Sequence, residues 1–230
     1  MASKKTDDIV LGVEEHLSNL ENYYEGHKKP IIIVSSVIAA IILAIAGIYY
    51  WYLPSQEQEA EDQIYHAQMY FSQDSINKAI RGDASSPGFE AIADEYSWSP
   101  AGRLANYYLG LCYYDKKDYR KAIDYLSKFN GGDVLVSPNA AGVMGDAELQ
   151  LGNKDQALQD YLEAVKRSNN TLTAPIYLKK AALVCEETGN YTRAAELYER
   201  IKTEYHTSQE AQDIDKYLYR AKEKSGTLAN

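Results

Sequence analysis

Residues Arg103–Phe129 read RLANYYLGLCYYDKKDYRKAIDYLSKF, and this stretch decides the fold. Apolar residues recur at helical spacing on both sides of a polar break, which predicts two helices packed back to back. Small residues, Gly110 and Ala122, stand where two helices must touch, and large ones, Tyr113 and Leu126, fill the gaps between them. The pattern returns from Pro138 with Met144-Gly145, Ala157, Tyr161 and Ala164, and from Pro175 with Ala181-Ala182, Ala194, Tyr198 and Ile201. Ala122, Ala157 and Ala194 lie 35 and 37 residues apart. Turn sequences, Leu151-Gly-Asn-Lys154 and Thr188-Gly-Asn-Tyr191, fall at the matching places.

A longer echo extends the array at both ends. Ile92-Ala-Asp-Glu-Tyr96-Ser-Trp-Ser99 matches Ile201-Lys-Thr-Glu-Tyr205-His-Thr-Ser208 at four positions with an offset of 109, and Tyr108-Leu109 matches Tyr217-Leu218. Phe89–Tyr96 is therefore the expected second helix of a degenerate first repeat. Its first helix lies within Glu57–Arg81, and Gly82–Gly88 is the loop between them. Ser208–Lys224 is expected to be a lone helix covering the last apolar face. These intervals resemble the tetratricopeptide repeat (TPR) pattern. The expected fold class is all-α, one transmembrane helix followed by an α-solenoid of TPR helix pairs and a capping helix. The expected divisions are a tail at 1–30, a span at 31–53, and a domain at 54–230. Within the domain they are a degenerate repeat at 57–100, repeats at 103–134, 138–171 and 175–207, and a cap at 208–224.

The span is Ile31–Leu53, IIIVSSVIAAIILAIAGIYYWYL, 23 residues without a charge. As a helix it reaches about 34 Å, enough for a bilayer core of about 30 Å. Tyr49, Tyr50, Trp51 and Tyr52 crowd one end, where amphipathic rings favour the interface. His27, Lys28 and Lys29 flank the start, and Glu57, Glu59, Glu61 and Asp62 follow the end. The positive-inside rule then places residues 1–30 in the cytoplasm and 54–230 across the membrane. Ala44-Ile45-Ala46 resembles a signal-peptide cleavage site, but the tail before it is long and holds six acidic residues, which favours an uncleaved anchor. In the tail, Val10, Val13, Leu17, Leu20 and Tyr24 form one apolar stripe, which would lie on the membrane surface or dock a partner's cytosolic face.

Tyr23-Tyr24 before Gly26-x-Lys28, a single aromatic-ended span and a TPR domain beyond it resemble the bacterial inner-membrane TPR proteins that act as ancillary subunits of the Sec translocon. That resemblance implies a periplasmic, chaperone-like domain whose partners are translocon subunits or extended segments of secreted clients. Apart from that resemblance, the tail or the span could join copies into an oligomer.

By the TPR resemblance, the first helix of each pair lines a concave groove. The expected groove residues are Leu104, Tyr107, Leu111, Tyr114 and Asp115; then Asn139, Gly142, Asp146, Leu149 and Gln150; then Ile176, Lys179, Leu183, Glu186 and Glu187. Only Lys179 is basic, so the carboxylate clamp of cytosolic chaperone-binding TPR domains is missing. An apolar, aromatic and mildly acidic groove suits extended chains. The competing expectation is that the terminal helix or self-association buries these residues.

Other chemistries find little support. A net charge of −9 argues against nucleic acid. His16, His27, His66 and His206 are scattered without metal spacing, and no phosphate loop or nucleophile elbow occurs, so neither catalytic residues, nor a metal, nor a cofactor is expected. Cys112 and Cys185 sit among apolar residues and read as buried free thiols. Two functions stay open: binding of clients or translocon, and a structural scaffold in a secretion, division or gliding machine.

Overall fold

The computed structural model describes Glu25 and residues 27–227; the tail stripe Val10 to Tyr24 and Gly26 lie outside the described residues. The chain divides into two compact units, Met1–Ser55 and Gln56–Asn230. In the first, the backbone is helical over residues 27–47 (α1) and passes through a π-helical turn, Ile48–Tyr52. Among the described residues, the helical run His27–Ser72 is the one long and apolar enough to cross a membrane by length and composition. From Ile32 to Ile48 its Ile, Val and Leu side chains are exposed. Ser35 and Ser36 donate their hydroxyls to the Ile32 carbonyl at 3.0 and 2.7 Å, so neither leaves an unpaired hydroxyl on that apolar surface.

The remaining helices are α2 (Leu53–Ser72), α3 (Ile76–Arg81), α4 (Phe89–Glu95), α5 (Pro100–Asp115), α6 (Tyr119–Lys128), α7 (Val136–Gln150), α8 (Lys154–Arg167), α9 (Ala174–Glu187), α10 (Tyr191–Glu204) and α11 (Ile214–Ser225), the last preceded by a 3₁₀ turn at Glu210–Asp213. The fold is all-α, a solenoid of helix pairs; among the described residues the only strand-like pairing is one bridge, Gly82 to Pro87.

One turn builds the array. After α2, α5, α7 and α9 comes a left-handed residue: Asp74, Lys117, Gly152 and Gly189, with φ of 57, 61, 83 and 78°. The following N–H, of Ser75, Asp118, Asn153 or Asn190, reaches back to Tyr70, Tyr113, Glu148 or Cys185 at 2.9, 2.9, 2.9 and 2.8 Å. This satisfies a carbonyl that the helix end would otherwise leave open. Four residues further on stands a fully buried alanine: Ala79, Ala122, Ala157, Ala194.

Ala79 places a fourth copy in the repeat that reads as degenerate in the sequence. The second helix of the first pair begins at Ile76, breaks at Gly82–Gly88, and resumes as α4. The loop thus falls inside the second helix, not between the two helices as the sequence reading had it. Gly82, with φ of 77°, and Pro87 break the helix, and the inserted loop stretches the alanine spacing to 43 residues. At the other end, α11 stops on a left-handed residue, Gly226 (φ 73°), as the first helices do. It is a fifth first helix.

The 109-residue echo is a repeated piece of structure. Ser99 and Ser208 each donate a backbone N–H to the carbonyl of Tyr96 or Tyr205 at 2.8 Å. Each serine hydroxyl then accepts from the next helical turn, Ser99 from Gly102 N–H at 3.0 Å and Ser208 from Ala211 N–H at 3.2 Å. The core runs along the array, with alanines at the helix contacts and the fully buried rings of Tyr96, Tyr161 and Tyr198 between them. Burying each large side chain stabilises by about 1.5–3 kcal/mol. Cys112 and Cys185 are buried free thiols, in line with the sequence reading.

Candidate functional site

The first helices α5, α7 and α9 lie side by side, and side chains predicted to line a groove tie them together. Tyr107 on α5 donates its hydroxyl to Asn139 Oδ1 on α7 at 2.9 Å. Asn139 Nδ2 in turn donates to the Tyr177 hydroxyl on α9 at 3.4 Å. Burial, with Tyr108 and Tyr177 adding, pushes the Tyr107 phenol up to about 12. Burial and then Asp146 push Tyr177 up to about 12 as well, so both rings remain neutral.

A second tie crosses the same helices. Lys180 Nζ on α9 reaches both carboxylate oxygens of Asp146 on α7 at 2.7 Å. Asp146 also accepts the Tyr161 hydroxyl at 2.6 Å. Burial first, and that hydrogen bond second, raise the Tyr161 phenol.

The first helix α9 is tied to the 3₁₀ turn and to α11. Lys179 Nζ donates to Asp213 at 2.9 Å, which lowers the Asp213 carboxyl. Arg220 on α11 grips both oxygens of Glu186 at 3.3 and 2.7 Å.

Leu104 is half-buried between two core clusters. Tyr107 meets the Phe129 ring at 5.5 Å and Tyr114 the Tyr119 ring edge-on at 5.5 Å; Leu111 is half-buried beside them. Leu149 packs against the C-terminal core. Gly142 is buried because the Tyr177 ring occupies the space over it: a Cβ there would stand 2.0 Å from Tyr177 Cε1. Asp115, Gln150 and Glu187 are exposed.

An open cleft of 500 Å³ remains beside α9, lined by Ile176, Lys179, Lys180 and Leu183 and by residues of the 3₁₀ turn. Ile176 and Leu183 are 36% and 38% exposed. The predicted stripe on α5 is thus largely engaged in packing, and open apolar surface lies on α9 instead.

Sequence reasoning missed Lys180, Tyr177, Asp213 and Arg220. A signal existed: Asp146 and Lys180, Lys179 and Asp213, and Glu186 and Arg220 are each 34 residues apart. In a solenoid, residues one repeat apart are neighbours, so opposite charges at that offset pair. Among the described residues no group of three or more His, Cys, Asp or Glu could hold a metal ion.

Comparison with known proteins follows the same lines. The sequence signature described as Tetratricopeptide repeat matches residues 82–131 and 143–208. A comparison with curated protein sequences returns no significant match. Among solved structures, a tetratricopeptide repeat protein from Parabacteroides merdae is similar with a TM-score of 0.57 at 15% identity, over 74% of this chain and 62% of that one. A Podosopora anserina protein of nearly identical TPR-like repeats is similar with a TM-score of 0.54 at 14% identity, over 75% of this chain and 89% of that one. At these identities the likeness concerns the fold.

Proposed function

The chain belongs to the tetratricopeptide repeat family, a protein-interaction fold, and from that premise we propose that it is a membrane-tethered module that holds extended segments of other proteins. The residues proposed to bind are Ile176, Lys179 and Leu183 on α9, continued by Leu104, Tyr107, Leu111, Tyr114, Asn139, Asp146, Leu149 and Glu186 along the first-helix face. The observation that carries the reading is the 500 Å³ cleft with Ile176 and Leu183 exposed in it. Open apolar side chains beside a lysine and the acidic 3₁₀ turn fit an extended, mixed apolar and polar segment.

The span Ile31–Leu53 and its flanks support a bacterial inner-membrane anchor with residues 1–30 cytoplasmic and residues 54–230 periplasmic. In that setting the partners are secreted clients or translocon subunits, and the role is chaperone-like, in line with the resemblance to ancillary Sec-translocon subunits. One observation favours the scaffold reading: Tyr107, Asn139, Asp146 and Glu186 are spent on contacts between repeats, which stiffens the array.

Ile176→Asp and Leu183→Asp separate the two. Binding of fluorescent, extended apolar peptides to the full chain in detergent should weaken about tenfold, a loss of about 1.4 kcal/mol, with an unchanged melting curve. Unaltered binding would remove the cleft as the working surface and put the scaffold reading first.

A further inference from the structure

The two long edges of the second unit differ in chemistry. One carries the turns inside each pair, around Asp74, Lys117, Gly152 and Gly189. Among the described residues the exposed large apolar side chains there are Met69, in the last turn of α2, and Leu151, at 40% and 37%. The other edge carries the junctions from each second helix to the next first helix. There Trp98, Val134, Leu135 and Leu172 stand 44%, 64%, 47% and 62% exposed. The junctions are tied to one another: Asn170 Nδ2 donates to the Val134 carbonyl at 3.0 Å, and Arg200 donates to Asn169 at 3.2 Å. Large apolar side chains that are more numerous and more exposed on one edge than on its opposite mark an interaction surface.

Three observations specify the occupant. Glu57 Oε1 accepts the Ala101 N–H at 3.2 Å, which fixes the start of the second unit at the N-terminal end of α5, on the junction edge. Glu57 follows Leu53 by four residues, and four residues of chain reach at most about 14 Å. The covalent connection from the span to the Glu57 contact on this edge is therefore short. The last turns of α6, α8 and α10 set Lys128, Lys166 and Lys202 along this same edge, each exposed and in a surface ion pair, with Asp124, Glu163 and Asp215, for which an anionic headgroup would compete. Finally, an indole and branched aliphatic side chains on short loops are the groups that enter the headgroup and acyl boundary without burying backbone.

We propose that the junction edge, through Trp98, Val134, Leu135 and Leu172, docks on the lipid surface of the membrane that α1 crosses. The proposal rests on the anchoring read from Ile31–Leu53. It holds the solenoid with its pair turns away from the lipid and restricts the directions from which a segment can enter the α9 cleft.

The chain has two tryptophans, Trp51 and Trp98, which allows a direct test. The full chain carrying Trp51→Phe is reconstituted in vesicles of phosphatidylethanolamine and phosphatidylglycerol bearing nitroxide at the headgroup or shallow acyl position. Trp98 emission should fall about twofold or more, as for a side chain in the interface. Adding Val134→Glu and Leu172→Glu should restore it without changing the melting curve, because both positions are exposed. The companion Trp98→Phe chain reports Trp51 in the span. Quenching of Trp51 without quenching of Trp98 overturns the docking and leaves the anchor standing; quenching of neither removes the anchor and the docking with it. Leu151→Trp, in a chain lacking both natural tryptophans, is the control on the opposite edge, and equal quenching there overturns the assignment of an edge. Shielding of Trp98 from aqueous iodide that grows with the protein-to-lipid ratio, without nitroxide quenching, assigns the edge to a second copy and overturns the proposal.

Discussion

Gly142→Ala sets two known effects against each other, and the geometry decides the sign. Replacing a mid-helix glycine by alanine favours a helix by about 0.8–1.0 kcal/mol. The added Cβ, however, would lie 2.0 Å from Tyr177 Cε1, 2.4 Å from Cζ and 2.7 Å from the hydroxyl oxygen. Carbon atoms rest about 3.5–4.0 Å apart, so the ring must shift by about 1.5 Å. Tyr177 has little freedom to move. It is 5% exposed, faces the Tyr161 ring at 6.4 Å, and accepts from Asn139 at 3.4 Å. Overpacking costs about 1–3 kcal/mol, and loss of the Asn139 hydrogen bond adds about 1 kcal/mol. The net loss is about 1–3 kcal/mol after the helix gain, which for a domain of this size lowers Tm by about 3–10 °C. Circular dichroism melts of residues 56–230, a compact unit, measure it. Tyr177→Leu should recover part of the loss in the Gly142→Ala background, as contacting residues couple. A Gly142→Ala chain more stable than wild type would refute the reasoning, because it would mean that the ring yields at no cost.

Two further predictions concern buried titrating groups. Asp160 is 8% exposed, its Oδ2 has no hydrogen-bond partner among the described residues, and burial raises its carboxyl pKa, with Gln156 pulling it down and Glu148 adding to the rise. A raised folded-state pKa means that the group favours folding at low pH and disfavours it once ionised, so Asp160→Asn should be more stable than wild type at pH 7. The gain should shrink as pH falls toward 4 in urea titrations, and a pH-independent difference would show that charge is not its origin. Burial pushes the Cys112 thiol up to about 12 and raises Cys185 as well. Neither should react with a thiol reagent at pH 8 while the chain is folded, and labelling should track global unfolding; fast reaction of either thiol in native buffer would contradict its burial.

Much of this was legible in the sequence because a solenoid is nearly one-dimensional. Its contacts join residues within a helix pair or one repeat apart, so composition at fixed intervals states which residues touch. The alanines Ala122, Ala157 and Ala194, the Tyr96 and Tyr205 junctions and the apolar run Ile31–Leu53 all follow from local pattern and helix geometry. Tertiary structure decided the rest. Only the fold revealed that Ser75 and Ala79 open the second helix of the first pair, because the Gly82–Gly88 insertion breaks the interval that sequence comparison relies on. Only the fold separated exposed groove residues from engaged ones. Tyr107, Asp146 and Glu186 occupy groove positions, yet they bond to Asn139, Lys180 and Arg220, whereas Ile176 and Leu183 remain open. A periodic pattern fixes which face of a helix a residue lies on; which neighbour reaches it depends on how the helices stack.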